Sequence, residues 1–144
     1  MSLAALENLV RANQLKAEPR NDTEVTRLLG MARTRLHDAQ VASVSREGRF
    51  ISAYNAAHAA APAALRWHGY RSEHRHMVFQ CLPHTLNWAA PRWRVLDAAH
   101  QKRNLAEYEG FLEVEESTIK ELSALVTELI GDVEKLVAPQ PGPP

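Results

Sequence analysis

The feature that most constrains the fold is the hydrophobic pattern near the end of the chain. Apolar side chains recur there at steps of three and four residues: Ile119, Leu122, Leu125, Val126, Leu129, Ile130, Val133, Leu136 and Val137. This period places them on one face of an amphipathic α-helix, which we expect to span roughly residues 116–137. A helix with an apolar face must bury it against other elements, so the rest of the chain has to supply the covering surface.

The remaining sequence also favours helices, and no strand pattern appears in it. The segments predicted as helices are residues 3–15, 22–43, 46–68, 72–82 and 91–109. Residues 16–22, between the first two helices, are predicted as a loop. The expected fold is therefore all-α, an antiparallel bundle of four to five helices. The predicted organisation is an N-terminal helix and loop (1–21), a helical bundle (22–137) and a disordered Pro-rich tail (138–144).

Capping and breaking residues set the predicted ends of these helices. Ser2 is expected to cap the first helix, and Asn21 with Glu24 has the spacing of a capping box for the second. Pro62 removes one backbone donor from the alanine-rich third helix and is expected to kink it. Pro83 is expected to end the short helix that precedes it.

Composition limits the classes of function that remain open. Cys81 is the only cysteine, so an intrachain disulfide is excluded and a zinc site of the common Cys/His kind is disfavoured. The sequence contains no apolar run long enough to cross a membrane and no secretion signal, which predicts a cytoplasmic protein without membrane contact. No cofactor and no metal are expected.

The charge of the chain is zero overall but unevenly distributed. Residues 1–103 hold 15 Lys and Arg against 8 Asp and Glu, whereas residues 104–144 hold 2 against 9. The basic part either binds an anionic partner or is covered by the acidic last helix within the fold.

One face of the helix predicted over residues 91–109 is polar where a core-facing stripe would be apolar. His100, Arg103, Asn104 and Tyr108 follow one another at helical spacing, with Glu107 beside them. These side chains form either a functional surface or a structural polar network. In the structural alternative, Arg103 and Glu107 are an ordinary i,i+4 ion pair and Tyr108 buries its ring.

Three short motifs give the chain a resemblance to a known group of helical domains. In order they are Arg49-Phe50-x-x-Ala53-Tyr54-Asn55-Ala56-Ala57, then Gly69-Tyr70-Arg71, then Arg103-Asn104-Leu105-Ala106-Glu107-Tyr108. Over roughly residues 22–137 the chain resembles the HEPN superfamily of prokaryotic helical domains. The resemblance implies a homodimer, and in many members a metal-independent ribonuclease site made by an Arg and a His four to six residues later. Many members are toxins or RNA-processing enzymes, frequently encoded beside a minimal nucleotidyltransferase as in toxin–antitoxin systems, and others are inactive binders or partners.

The resemblance assigns candidate site residues to this sequence. Arg103 and Asn104 match the Arg-Asn pair of the motif, but Tyr108 stands where the family has His. His100, one turn before Arg103, is the imidazole available to the same face, so the catalytic candidates are His100, Arg103, Asn104 and Tyr108. Tyr has a pKa near ~10, which disfavours it as a base, whereas His titrates near neutral pH.

Binding candidates come from the same face and from a second stretch of the sequence. Glu107 is expected to set the charge of Arg103. Arg71 and His76 begin and end a segment with the Arg-x4-His spacing, although this match is not specific in a chain with seven His.

Three functions remain open at this level. The first is a dimeric binding or regulatory domain that acts on RNA, a nucleotide or a nucleotidyltransferase partner. The second is a metal-independent ribonuclease that uses Arg103 with His100. The third is a structural interaction protein without a ligand.

Overall fold

Helices dominate residues 3–139, the part of the chain that the computed structural model describes. In chain order the elements are α1 (Leu3–Arg11), β1 (Lys16–Ala17), α2 (Asp22–Ala39), α3 (Arg46–His68), β2 (Tyr70–Arg71), α4 (Met77–Gln80), α5 (Leu82–Thr85), α6 (Ala90–Glu109) and α7 (Glu116–Val137). The all-α helical bundle predicted from the sequence is confirmed. None of the described helices is long and apolar enough to span a membrane.

The central helix is α3, which packs mainly against α2 and α7. Its buried alanines are Ala53, Ala56, Ala57, Ala59, Ala60, Ala61, Ala63 and Ala64. Such small side chains let neighbouring helices approach closely, which explains why α3 is buried on more than one face. Ser45 caps the start of α3 by accepting a hydrogen bond from the Gly48 amide. The helix continues through Pro62 and ends at Gly69, whose φ of 91° is accessible without strain to glycine.

The apolar stripe of α7 covers this core, and the helix has the bounds that its sequence period predicts. The fully buried members of the stripe are Ile119, Leu122, Val126, Leu129, Ile130 and Val133. Each such side chain contributes roughly 1.5–3 kcal/mol of hydrophobic stabilisation. Together they fix α7 against α3 and α2.

Several local predictions are wrong. The loop predicted over residues 16–22 contains β1, which pairs antiparallel with β2, and α2 ends at Ala39. The single helix predicted over residues 72–82 is replaced by α4 and α5. Pro83 lies in the first turn of α5, where its missing N–H costs nothing, and so does not end a helix.

Two predictions lie outside the described residues. The Ser2 cap falls before residue 3, and most of the Pro-rich tail falls after residue 139.

A compact ion cluster attaches the N-terminal segment to α3. We call it the Arg66 cluster, and it consists of Glu18, Glu24, Arg66 and Arg71. Arg66 is only 3% exposed, and its Nε donates to the Glu24 carboxylate over 2.7 Å. Its two terminal nitrogens donate to backbone carbonyls of residues 18 and 19. The cluster holds β1, α2 and β2 together at one end of α3.

Candidate functional site

The polar face of α6 meets α3 in a group of side chains that we call the His100 cluster, namely Tyr54, His58, His100, Arg103 and Asn104. His100 is buried, with 8% of its surface exposed. Its Nδ1 lies 2.9 Å from the Tyr54 hydroxyl, and its Nε2 lies 3.0 Å from the Asn104 amide nitrogen. Both ring nitrogens therefore have a partner, one from each helix.

These partners determine the charge state of the His100 ring. The Asn104 amide nitrogen can only donate, so Nε2 must accept and carries no proton. The remaining proton of the neutral ring is on Nδ1, which donates to the Tyr54 oxygen. Burial lowers the pKa of His100, and nearby cationic groups lower it further, against an opposing effect of Asp97. His100 is thus a neutral imidazole at pH 7.

His58 is the second imidazole of the cluster. Its ring lies 5.9 Å from the Tyr54 ring and 6.0 Å from the Phe79 ring, measured between centroids. Burial, reinforced by the positive charge of Arg75, lowers the pKa of His58 to about 4. Its Nε2 is buried and has no hydrogen-bond partner within residues 3–139. The cluster therefore contains two neutral imidazoles, those of His58 and His100, which pack against aromatic rings.

Three basic side chains lie near the two imidazoles, namely Arg75, His76 and Arg103. The Arg103 guanidinium carbon lies 5.4 Å from the centre of the Tyr54 ring, a cation–π distance. Arg75 and His76 come from the segment before α4 and are close enough to His100 to lower its pKa. Both are exposed, and neither forms an ion pair with a carboxylate in the described part of the chain.

Arg103 differs from these two because it has a carboxylate partner. Its Nη2 lies 2.9 Å from the Glu107 carboxylate, the i,i+4 pair expected from the sequence. The Arg103 side chain is 19% exposed and that of Glu107 is 62% exposed. Because the Glu107 carboxylate is largely exposed to water, a more highly charged anion can displace it from Arg103.

The structure brings some predicted site residues together and separates others. His100, Arg103 and Asn104 share the cluster, and His76 lies near it. Arg71 belongs to the Arg66 cluster, where its guanidinium binds two carboxylates. Tyr108 is 92% exposed. Its ring is therefore not buried, and it is not in contact with His100 in the described part of the chain.

Three residues of the site escaped the sequence analysis as functional candidates, namely Tyr54, His58 and Arg75. Tyr54 and His58 lie one turn apart on α3, and this spacing was the available signal. Arg75 lies inside the Arg71–His76 segment, but nothing in the sequence shows that this segment faces α6. Only the tertiary fold brings these residues to His100.

The arrangement favours anion binding over proton transfer. His100 is buried and uses both nitrogens in hydrogen bonds, so it cannot reach a substrate without a rearrangement of the cluster. Arg75, an exposed residue whose side chain also hydrogen-bonds to the Tyr54 hydroxyl, and the displaceable pair at Arg103 are suited to phosphate oxygens. Within residues 3–139, no group of three or more His, Cys, Asp or Glu side chains is arranged to hold a metal ion.

Comparisons with known proteins give no family assignment. No family model matches the chain, and no curated protein or solved structure shows significant similarity to it.

Proposed function

We propose that the chain is an HEPN-like binding domain that holds the phosphate backbone of RNA on the surface around His100. The observation that carries this proposal is that two guanidinium groups, those of Arg103 and Arg75, lie at Tyr54, whose hydroxyl is 2.9 Å from the ring of the buried His100. Glu107 pairs with Arg103 but Arg75 has no carboxylate partner within residues 3–139, so this surface keeps excess positive charge, which attracts nucleic acid independently of sequence. The Arg-Asn pair of the HEPN resemblance lies at the same place.

Binding is favoured over cleavage by the state of the two candidate catalytic groups. His100 is enclosed between Tyr54 and Asn104, which occupy its nitrogens. Tyr108 is 92% exposed and lies outside the His100 cluster, so it does not take the place of the motif histidine there. A regulatory or binding role therefore fits these residues better than a ribonuclease.

The proposal includes a homodimer, as the HEPN resemblance implies. Apolar side chains are exposed at the end of α6, where Leu105 is 55% and Phe111 is 59% exposed, with Tyr108 between them. Such a group supports contact with a second copy of the chain. Light scattering is expected to report twice the mass of one chain at micromolar concentration, and Leu105→Ser is expected to shift it towards the monomer. A wild-type monomer at this concentration would contradict this part of the proposal.

RNA binding is tested by fluorescence anisotropy with a labelled single-stranded oligonucleotide at low salt. Arg75→Ala and Arg103→Ala are each expected to weaken binding about tenfold, which corresponds to the ~1.4 kcal/mol of one charge-assisted contact. Lys102→Ala is the matched control, because it removes a neighbouring positive charge on α6 that is outside the His100 cluster. Equal affinities of wild type, Arg75→Ala and Arg103→Ala would overturn the proposal.

A second assay separates binding from cleavage. The wild-type chain is expected to leave the oligonucleotide intact on a denaturing gel. Tyr108→His restores an imidazole at the motif position and tests whether the scaffold supports cleavage. Cleavage by the wild type that disappears in His100→Ala would favour the ribonuclease instead.

A further inference from the structure

A cavity of about 480 Å³ lies between α2, α3 and the segment after β2, and it shares His58 and Arg75 with the candidate site. Much of its wall is aliphatic: Leu28, Met31, Ala59, Pro62, Leu65 and Val78. No Phe, Trp or Tyr ring except that of Tyr70 lies among its lining residues in the described part of the chain. The volume is within the usual range for small-molecule sites, and the wall suits a flexible hydrocarbon better than a stacked base.

The charged residues of the cavity are not equivalent. Arg66 and Arg71 are bound to Glu18 and Glu24 in the Arg66 cluster, which leaves little of their charge for a ligand. Arg35 pairs with Asp38 at 3.1 Å. Arg75 lines the cavity and has no carboxylate partner within residues 3–139.

The cavity is also lined by further polar residues, namely Asn55, His58, Ser72, Glu73 and His74. His58 lines the cavity as a neutral ring, because burial lowers its pKa to about 4, and so it adds no charge to the wall. Glu73 is exposed on the segment that carries Arg75. The remaining positive charge is thus concentrated at one guanidinium beside an apolar wall.

We propose that this cavity binds a small aliphatic carboxylate, with the hydrocarbon chain on the apolar wall and the carboxylate on Arg75. Burial of each methylene contributes about 0.8 kcal/mol, and a guanidinium binds a carboxylate through two parallel hydrogen bonds. The Arg75 contact gives preference over a neutral alcohol of the same length. Arg75 is also the residue proposed to contact RNA, so octanoate binding is tested without RNA, where the two ligands do not compete.

The test is isothermal titration calorimetry of the full chain with octanoate as the probe. Wild type is expected to bind octanoate at least tenfold more tightly than octan-1-ol. Arg75→Gln is expected to weaken octanoate about tenfold, whereas Arg33→Gln, which changes an arginine of α2 that is paired with Glu134, is expected to have less than a twofold effect. Met31→Trp, at a half-exposed wall position, should abolish binding while the far-ultraviolet circular dichroism stays unchanged.

Methyl NMR locates the binding. Octanoate is expected to shift the methyl signals of Leu28, Leu65 and Val78, all of which line the cavity. The proposal is overturned by the absence of binding at millimolar octanoate, by equal affinities of wild type and Arg75→Gln, or by methyl shifts confined to other regions. Tighter binding of adenosine monophosphate than of octanoate would also overturn the aliphatic assignment.

Discussion

The Arg66 cluster and the His100 cluster both join α3 to neighbouring segments, but they differ in charge balance. The Arg66 cluster contains two guanidinium groups and two carboxylates, and backbone carbonyls take the remaining donors of Arg66. Around His100, Arg103 alone has a carboxylate partner, while Arg75 and His76 have none within residues 3–139. In a cluster with equal positive and negative charge, every charged group has its partner within the fold. A cluster with excess positive charge is suited to an anionic ligand.

The largest expected effect comes from breaking the balanced cluster. Arg66→Met should lower the free energy of unfolding by about 3–5 kcal/mol, because it leaves two backbone carbonyls without their donor and removes one of the two arginines that bind the Glu24 carboxylate. Arg33→Met is the control, since it removes an exposed pair with Glu134 and should cost no more than ~1 kcal/mol. Both values come from urea unfolding at pH 7. Similar costs for the two variants would show that the Arg66 cluster is not structural.

A smaller effect is expected from the hydroxyl group that holds His100. Tyr54→Phe removes the partner of the His100 Nδ1 proton and should lower the free energy of unfolding by about 1–3 kcal/mol. Tyr108→Phe removes the same group from a side chain that is 92% exposed and should leave stability within ~0.5 kcal/mol of wild type. If urea unfolding shows no difference between the two variants, the Tyr54–His100 hydrogen bond is energetically unimportant.

The pH dependence of the free energy of unfolding should reveal the lowered pKa of the buried His58. The pKa of His58 falls from about 6.5 in the unfolded chain to about 4 in the folded chain, so the unfolded chain binds more protons between these values. Stability should therefore fall as pH is lowered through this window, by roughly 1–2 kcal/mol between pH 7 and pH 5. His58→Gln should flatten the slope, and His37→Gln, at an exposed position of α2, is the control for the loss of an imidazole. An unchanged slope in His58→Gln would contradict the assignment.

The smallest expected effect is a loss of stability at acid pH, when the Glu24 carboxylate of the Arg66 cluster becomes protonated. The hydrogen bond from Arg66, followed by that from Arg71, lowers the pKa of Glu24. The stabilisation that follows is present above the unfolded pKa of about 4.3 and is lost as pH falls through the folded value. The stability difference between wild type and Glu24→Gln should therefore shrink below about pH 4. A difference that is constant with pH would mean that the Glu24 charge does not contribute.

The sequence predicts helices from local signals but not the contacts that join distant segments, including those of the two clusters. The bounds of α3 and α7 follow from local signals, namely Ser45, Gly69 and a sustained apolar period, and both helices were predicted closely. The pairing of β1 with β2 joins residues more than fifty positions apart and leaves no periodic pattern in two-residue strands. The contacts of Arg71 and Arg75 likewise join residues that are far apart in the chain. The sequence therefore did not show that Arg71 belongs to the Arg66 cluster or that Arg75 lies near the His100 cluster.

Within the candidate site, the helical face of α6 was predictable and its environment was not. The i,i+4 spacing correctly gave the Arg103–Glu107 pair and placed Asn104 beside His100. Burial of His100 against Tyr54 depends on how α6 crosses α3, which the spacing does not determine. This burial is what changes His100 from an available acid–base group into part of a neutral, closed network.

The salt dependence of RNA binding tests the central claim most directly. Neutralising a phosphate of single-stranded RNA releases counterions, so each contact contributes about 0.7 to the slope of log affinity against log salt concentration. The double variant Arg75→Ala/Arg103→Ala, verified as folded by circular dichroism, is expected to lower this slope by about 1.4 relative to wild type. Lys102→Ala is expected to keep the wild-type slope. A folded double variant with an unchanged slope would contradict the claim that the His100 cluster holds the RNA backbone.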